Sequence, residues 1–121
     1  MQEIPFKNYS HLGDAVWELF VREQTVCRAS NLKQLHELTT SMVNAKYQSE
    51  LLQHITKYLT EEELEVVRRG RNQHVPVARR QNQAEYRQAT SFEVLIGWLY
   101  TNNKGRLLEI YEIINKNLEE K

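Results

Sequence analysis

The sequence is poor in cysteine, proline and glycine and lacks a long apolar run, and each shortage excludes a class of protein. Its 121 residues include one cysteine, two prolines and four glycines. The single cysteine, Cys27, can form neither an internal disulfide nor a zinc cluster of several cysteines, which favours a reducing compartment. No apolar run approaches the roughly 20 residues of a membrane span, and residues 1–5 lack the basic start of a signal peptide. We therefore expect a soluble, intracellular protein.

Net charge is also missing, because 16 basic and 16 acidic side chains balance to a formal charge of zero. A neutral total gives no general attraction to nucleic acid, so such a function must show in the distribution of charge. Aspartate is scarce as well, since Asp14 is the only one in the chain. The length fits one domain over residues 1–121, which should bury roughly two thirds of its unfolded surface.

Apolar residues recur every three or four positions along nearly the whole chain, and this period predicts helices without strands. A first helix is expected around residues 12–20, with Asp14 on its polar face, and a long second helical stretch over residues 35–59. Further helices are expected over about residues 84–100 and after residue 105. The predicted fold is one all-α domain.

The clearest helix start lies at Thr60, which is followed three residues later by Glu63. This spacing predicts a capping box, in which each side chain accepts a hydrogen bond from the other residue's backbone N–H. The helix that begins there is expected to end near Gly70, where several arginines would complement the negative end of the helix dipole.

Two segments about eighty residues apart each carry one acid close to a glycine. Gly13 directly precedes Asp14, and Gly97 lies one turn after Glu93. Glycine costs an interior helix roughly 1 kcal/mol relative to alanine, so both glycines indicate close approach by another backbone or a ligand. A single carboxylate on a helix face is usually only solvated. Two together can hold Mg²⁺ or Mn²⁺, which neutralises phosphate charge and activates water.

Two further features are the stretch Arg68–Asn72 and the Tyr86-Arg87 pair. Together with the two acidic segments, they resemble the ribonuclease III family, in its Mini-ribonuclease III form, over nearly the whole chain. The resemblance implies an all-α, homodimeric ribonuclease III-like domain. It also implies a magnesium-dependent endoribonuclease that cleaves double-stranded RNA and matures a large-subunit (23S) ribosomal RNA precursor, in the bacterial cytoplasm or in a plastid. Asp14 and Glu93 would be the catalytic residues and the metal ligands.

Two positions depart from the longer ribonuclease III enzymes, which carry further acids four residues before the first catalytic acid and three before the second. Here these positions are Ser10 and Thr90. The short form usually lacks both acids, so ordered waters would complete the coordination of the metal. The thinner site leaves two alternatives open: a domain that binds structured RNA without cutting it, and a helical scaffold with solvated carboxylates. Retention of both Asp14 and Glu93 favours the enzyme.

Arginines are concentrated between Val66 and Ala84, where no acid occurs. Cations stabilise a helix C-terminus by about 0.3 to 1 kcal/mol each, but this does not explain Arg79 and Arg80, which lie beyond Pro76. Arginine forks suit phosphate oxygens, and double-stranded RNA presents phosphates and 2′-hydroxyls more readily than base edges. The residues predicted to bind RNA are Arg68, Arg69, Arg71, Asn72, Arg79, Arg80 and Arg87.

The resemblance also implies a dimer interface at His11 and Trp17. His11 stands where the family usually has an aromatic residue packed into the partner subunit. It also lies three residues before Asp14, which leaves open a role as a general acid or base. Trp17 belongs to the same helix, and packing in the core or in the dimer accounts for its ring.

Overall fold

The computed structural model describes residues 4–72 and 83–119, with side chains to residue 116. Within these ranges the chain forms helices joined by short turns and contains no strand, which confirms the predicted all-α class. No helix in these ranges is long and apolar enough to cross a membrane. The helices are α1 (Asn8–Thr25), α2 (Leu32–Val43), α3 (Ala45–Ile55), α4 (Glu61–Arg71), α5 (Gln83–Asn102) and α6 (Lys104–Glu119), with a 3-10 turn at Thr56–Tyr58 after α3.

Helix α5 is the centre of the fold, and α1, α3 and α4 pack around it. It is apolar over most of its circumference, as expected for a helix that is covered on several sides. Phe92, Leu95 and Leu99 are fully buried on it. The Trp17 ring of α1 meets the Phe92 ring edge to face at 5.0 Å between centroids. This packing brings the polar residues of α1 and α5 into register at one edge of the core.

The long helical stretch predicted over residues 35–59 is wrong in one respect, because Asn44 divides it into α2 and α3. Asn44 has an extended backbone with ψ of 162°, and its side chain accepts a hydrogen bond from the Tyr47 backbone N–H at 2.9 Å. Asparagine is among the best residues for capping a helix start in this way. The apolar period runs through the break without a change of phase, so periodicity alone did not reveal it.

The predicted capping box at the start of α4 is confirmed. Thr60 Oγ1 accepts from the Glu63 backbone N–H at 3.1 Å, and Glu63 Oε1 accepts from the Thr60 backbone N–H at 3.0 Å. The buried Glu63 carboxylate also receives Arg106 Nε at 2.8 Å, while Arg106 donates to the Tyr58 carbonyl. One acid therefore caps α4 and ties it to α6.

The predicted end of α4 near Gly70 is confirmed to within one residue, but the glycine has another role, and the break before α6 is shorter than predicted. Helix α4 continues through Gly70 to Arg71, and a Cβ added at Gly70 would lie 3.1 Å from Ser91 Cα. This glycine therefore allows α4 to approach α5 and does not terminate the helix. Only Asn103 separates α5 from α6, and its side chain caps α6 by accepting from the Arg106 backbone N–H at 3.1 Å.

Candidate active site

Helices α1 and α5 touch through their glycines, which leave no room for a side chain. A Cβ added at Gly13 would lie 1.7 Å from the Glu93 carbonyl oxygen and 2.9 Å from Gly97 N. A Cβ added at Gly97 would lie 2.1 Å from the Tyr9 carbonyl oxygen. The close packing predicted from the two glycines is thus confirmed. Because Asp14 follows Gly13 directly, this glycine contact sets the two acids side by side.

Asp14 and Glu93 form an acidic pair in which one member is exposed and the other is half-buried. Burial, together with the hydrogen bond and negative charge of Asp14, raises the pKa of Glu93 to about 8. Burial and the neighbouring negative charge disfavour the ionised form of Glu93, so Glu93 keeps its proton at neutral pH when no cation is bound. A hard divalent cation is the ion such an oxygen pair suits, and its binding would displace that proton.

Two neutral side chains surround Glu93 on its other sides. Ser10 Oγ donates to Glu93 Oε1 at 3.2 Å. Gln48, from α3, lies beside Glu93 without a hydrogen bond of ordinary geometry from its Nε2, and both neighbours act to lower the pKa of Glu93, though less than burial and Asp14 raise it. Over residues 4–72 and 83–119 no three His, Cys, Asp or Glu side chains gather in a way that could hold a metal. The side chains next to the acidic pair are therefore the neutral Ser10 and Gln48, and not further acids.

Sequence reasoning missed Gln48, although a signal for it existed. Gln48 precedes the buried Leu51, Leu52 and Ile55 at the spacing of one helix face, so a polar residue occupies a core position. A buried amide needs a hydrogen-bond partner, and this requirement points to a polar site beside α3.

The predicted RNA-binding residues of α4 are exposed, but two of them already have contacts inside the protein. Arg68 forms a bidentate ion pair with Glu65, with Nε at 2.9 Å and Nη2 at 2.5 Å from the carboxylate oxygens. The Arg69 guanidinium lies over the Phe6 ring, 3.9 Å from its centroid. Both contacts are at the surface, where solvent weakens them. These arginines remain accessible to a phosphate that offers a better partner.

Of the other residues predicted to bind RNA, three lie within the described part of the chain and two lie outside it. Arg71 and Asn72 are exposed at the end of α4. Arg87, at the start of α5, donates from Nη1 to the Arg71 carbonyl at 2.9 Å and so fixes the end of α4 to α5. Arg79 and Arg80 lie outside the described residues.

The two predicted interface residues have different environments. His11 is exposed on α1, so its role in a dimer stays a prediction. Trp17 is fully buried within one chain, where its Nε1 donates to the Met42 carbonyl at 2.9 Å. The prediction of Trp17 as an interface residue is therefore wrong, because no surface of its ring is left for a second subunit.

Comparison with known proteins agrees with this arrangement. The Ribonuclease III domain matches residues 7–104. Two proteins called Mini-ribonuclease 3, from Gloeobacter violaceus and Clostridium tetani, are 39% and 38% identical over 88% and 92% of this chain, and over 79% and 76% of their own lengths. A crystal structure from Fusobacterium nucleatum matches with a TM-score of 0.81 at 31% identity, covering 99% of this chain and 97% of that one. The chain therefore belongs to the ribonuclease III family of endoribonucleases, in its Mini-ribonuclease 3 group.

Proposed function

We propose that this protein is a divalent-metal-dependent endoribonuclease that cleaves double-stranded RNA, with Asp14 and Glu93 as the catalytic metal ligands. The observation that supports this most is the glycine contact of α1 and α5, which places two carboxyl groups together at the protein surface. Maintaining two glycines in helices and two adjoining acids costs stability. A bound cation offsets the repulsion between the acids.

The two acids of the site differ in exposure, and their proposed roles differ accordingly. Asp14, which is exposed, faces the solvent from which RNA arrives, while Glu93 is anchored by Ser10 and by the packing of α5. Mg²⁺, or Mn²⁺ in its place, would be held by both acids and supplies neutralisation of the phosphate oxygens and an activated water, so that cleavage leaves a 5′-phosphate and a 3′-hydroxyl. Glu93 must release its proton before the pair can hold the ion.

The arginine-rich end of α4 supplies the proposed contacts with RNA phosphates. Its residues Arg71 and Asn72 are exposed, and the bond from Arg87 to the Arg71 carbonyl fixes their backbone. Arg79 and Arg80, which lie outside the described residues, are proposed as further phosphate contacts from the sequence alone. The basic segment gives a neutral protein a local attraction for a duplex.

We further propose a homodimer that acts on a large-subunit (23S) ribosomal RNA precursor, in the bacterial cytoplasm or in a plastid. Two active sites related by a twofold axis would cut both strands of a duplex. The exposed His11, one turn from Asp14, is the proposed interface residue on α1. The ribosomal substrate and the location follow from the resemblance to the Mini-ribonuclease III family.

One incubation tests the reaction. Purified protein is mixed with a long RNA duplex in Mg²⁺, in Mn²⁺ and in chelator, beside the variants Asp14→Asn and Glu93→Gln. Cleavage by the wild type alone, and only with a divalent ion, is the expected result. Glu18→Gln is the matched control, since Glu18 is a carboxylate of α1 in an exposed ion pair with Arg22 at 3.0 Å.

Duplex binding in the same samples separates the second candidate function, which is RNA binding without cleavage. The site supports this alternative in one respect, because Ser10 stands beside Glu93 where a further acid would strengthen metal binding. A wild-type protein that binds the duplex tightly and never cuts it, with either ion, would establish the alternative and overturn the proposed enzyme.

A further inference from the structure

Gln48 has a costly environment that the fold alone does not explain. Its side chain is 2% exposed, and Nε2 is buried with no hydrogen-bond partner of ordinary geometry. Leaving a buried donor unpaired costs about 1 to 3 kcal/mol. A leucine or methionine would fill the same core position without this cost, so the amide is retained against stability.

Contacts of the neighbouring residues fix where this amide lies. Ser49 Oγ donates to Gln88 Oε1 at 2.5 Å, which joins α3 to α5 about one and a half turns before Glu93. The Asn44 cap sets the first turn of α3, from which Gln48 projects. The amide therefore lies beside the Glu93 carboxyl group, close enough to lower its pKa, while Nε2 makes no hydrogen bond of ordinary geometry.

Two helices, α1 and α3, converge on Glu93 and together offer three different groups. Asp14, from α1, contributes the second acid, and Ser10, also from α1, donates to Oε1 at 3.2 Å. Gln48, from α3, contributes a buried amide whose Nε2 has no partner of ordinary geometry. A second donor opposite Ser10 would restrict the rotation of the Glu93 carboxylate about its terminal torsion, which is otherwise broad for glutamate.

We propose that Gln48 is a positioning residue, whose side-chain amide donates to the Glu93 carboxylate and fixes the orientation in which Glu93 and Asp14 hold a divalent cation. This inference rests on the proposed function. A neutral donor serves the site better than another acid at this buried position, because it satisfies a Glu93 oxygen without adding negative charge. Partners that orient a metal ligand in this way typically contribute 10- to 100-fold to metal affinity or activity.

The test compares Gln48→Met with Gln53→Met. Gln53 is an exposed amide of the same helix that bonds to Gln88 at 3.3 Å, so it controls for loss of an amide from α3. Mn²⁺ affinity is measured by the electron paramagnetic resonance of free Mn²⁺, and kcat and KM are measured on an RNA duplex. Gln48→Met should weaken Mn²⁺ binding and lower kcat by about 10- to 100-fold, with KM for RNA unchanged. Gln53→Met should match the wild type in both.

Thermal unfolding distinguishes positioning from a purely structural role. Replacing an unpaired buried amide by a methionine of similar shape should leave the melting temperature unchanged or raise it. A lowered melting temperature with wild-type Mn²⁺ affinity and kcat would overturn the proposal. If Gln48→Met does not fold, Gln48→Asn carries the same expectation, because it withdraws the amide from Glu93 by one methylene.

A double-mutant cycle in chelator tests the contact without metal or activity. Gln48→Met, Glu93→Gln and the combined variant should have non-additive effects on the denaturation midpoint if the two side chains interact. Additive effects together with unimpaired Gln48→Met catalysis would overturn this inference and leave the proposed function standing. A wild-type protein that neither binds Mn²⁺ nor cuts RNA would instead overturn both.

Discussion

The acidic pair and the arginine-rich end of α4 serve one proposed reaction but are constructed in opposite ways. The pair is held by backbone packing so close that a Cβ at Gly13 would lie 1.7 Å from the Glu93 carbonyl oxygen. The arginines are exposed, and their contacts can be exchanged for others, as in the surface ion pair of Arg68 with Glu65. Chemistry on a phosphate needs groups fixed to a fraction of an ångström. Attraction to a charged duplex needs only accessible charge.

The largest effect is expected at the glycine contact. Gly13→Ala forces α1 away from the α5 backbone, where no flexible side chain can yield, so we expect a loss of more than about 3 kcal/mol of unfolding free energy and loss of cleavage. Chemical denaturation measures the first. Gly105→Ala is the control, since its Cβ would lie 3.6 Å from Asn103 Oδ1 in an exposed helical turn, and it should stabilise slightly. Near wild-type stability in Gly13→Ala would show that the helices are not locked there.

The next effect is the dependence of stability on pH in chelator. Because the pKa of Glu93 is about 8 when folded and near 4.5 when unfolded, the native state binds the extra proton, and stability falls as pH rises from about 4.5 to 8. At pH 8 we expect the unfolding free energy of Glu93→Gln to be higher than that of the wild type by on the order of 2 kcal/mol. Adding Mg²⁺ should restore the stability that the wild type loses as pH rises. A wild-type stability that stays level over this range would contradict the electrostatic strain of the pair.

A comparison within α4 sharpens the contrast between fixed and exchangeable contacts. Glu63 and Glu65 each bond an arginine, but Glu63 is buried with Arg106 whereas Glu65 is exposed with Arg68. Glu63→Gln should cost about 3 kcal/mol of unfolding free energy, because it removes the buried carboxylate partner of Arg106 and leaves only the longer pair with the exposed Glu109 at 3.8 Å. Glu65→Gln should leave the denaturation midpoint unchanged. Equal losses of unfolding free energy in Glu63→Gln and Glu65→Gln would show that the buried and the exposed ion pair contribute alike.

The Glu63 pair also has a defined pH window. Burial alone would raise the pKa of Glu63, but hydrogen bonds from Arg106 and Thr60 and the charge of Arg106 together hold the pKa below its ordinary value. Its stabilisation is therefore present above the unfolded pKa of about 4.5, and is lost as pH falls through the folded pKa. In acid titrations of stability, the wild type should lose its advantage over Glu63→Gln below pH 4.5.

The smallest effect concerns the arginines. The double variant Arg79→Ala, Arg80→Ala should weaken duplex binding and reduce the slope of log affinity against log salt by about one to two units per subunit, with the melting temperature unchanged. Arg22→Ala, which removes an arginine already paired with Glu18, is the control. An unchanged slope in the double variant would limit the RNA contact to the arginines of α4.

Local signals in the sequence predicted much of the fold and the centre of the site. Helical period, the Thr60 cap and the two glycine-acid segments each depend on residues close in sequence. The errors arose where one residue type serves two purposes. Gly70 permits close packing instead of ending a helix, and Trp17 faces the core although an aromatic residue on a helix also suits an interface. Gln48 was missed because its partner lies on another helix. The extent of the domain over residues 1–121 stays a prediction.

The glycine contact also has a consequence for protein synthesis. It joins α1 and α5, whose acids are separated by 79 positions and are made at different times. Until α5 has left the ribosome, Asp14 has no second acid beside it, and the nascent chain has no proposed metal site. The proposed metal site is therefore assembled only after α5 has emerged from the ribosome and packed against α1.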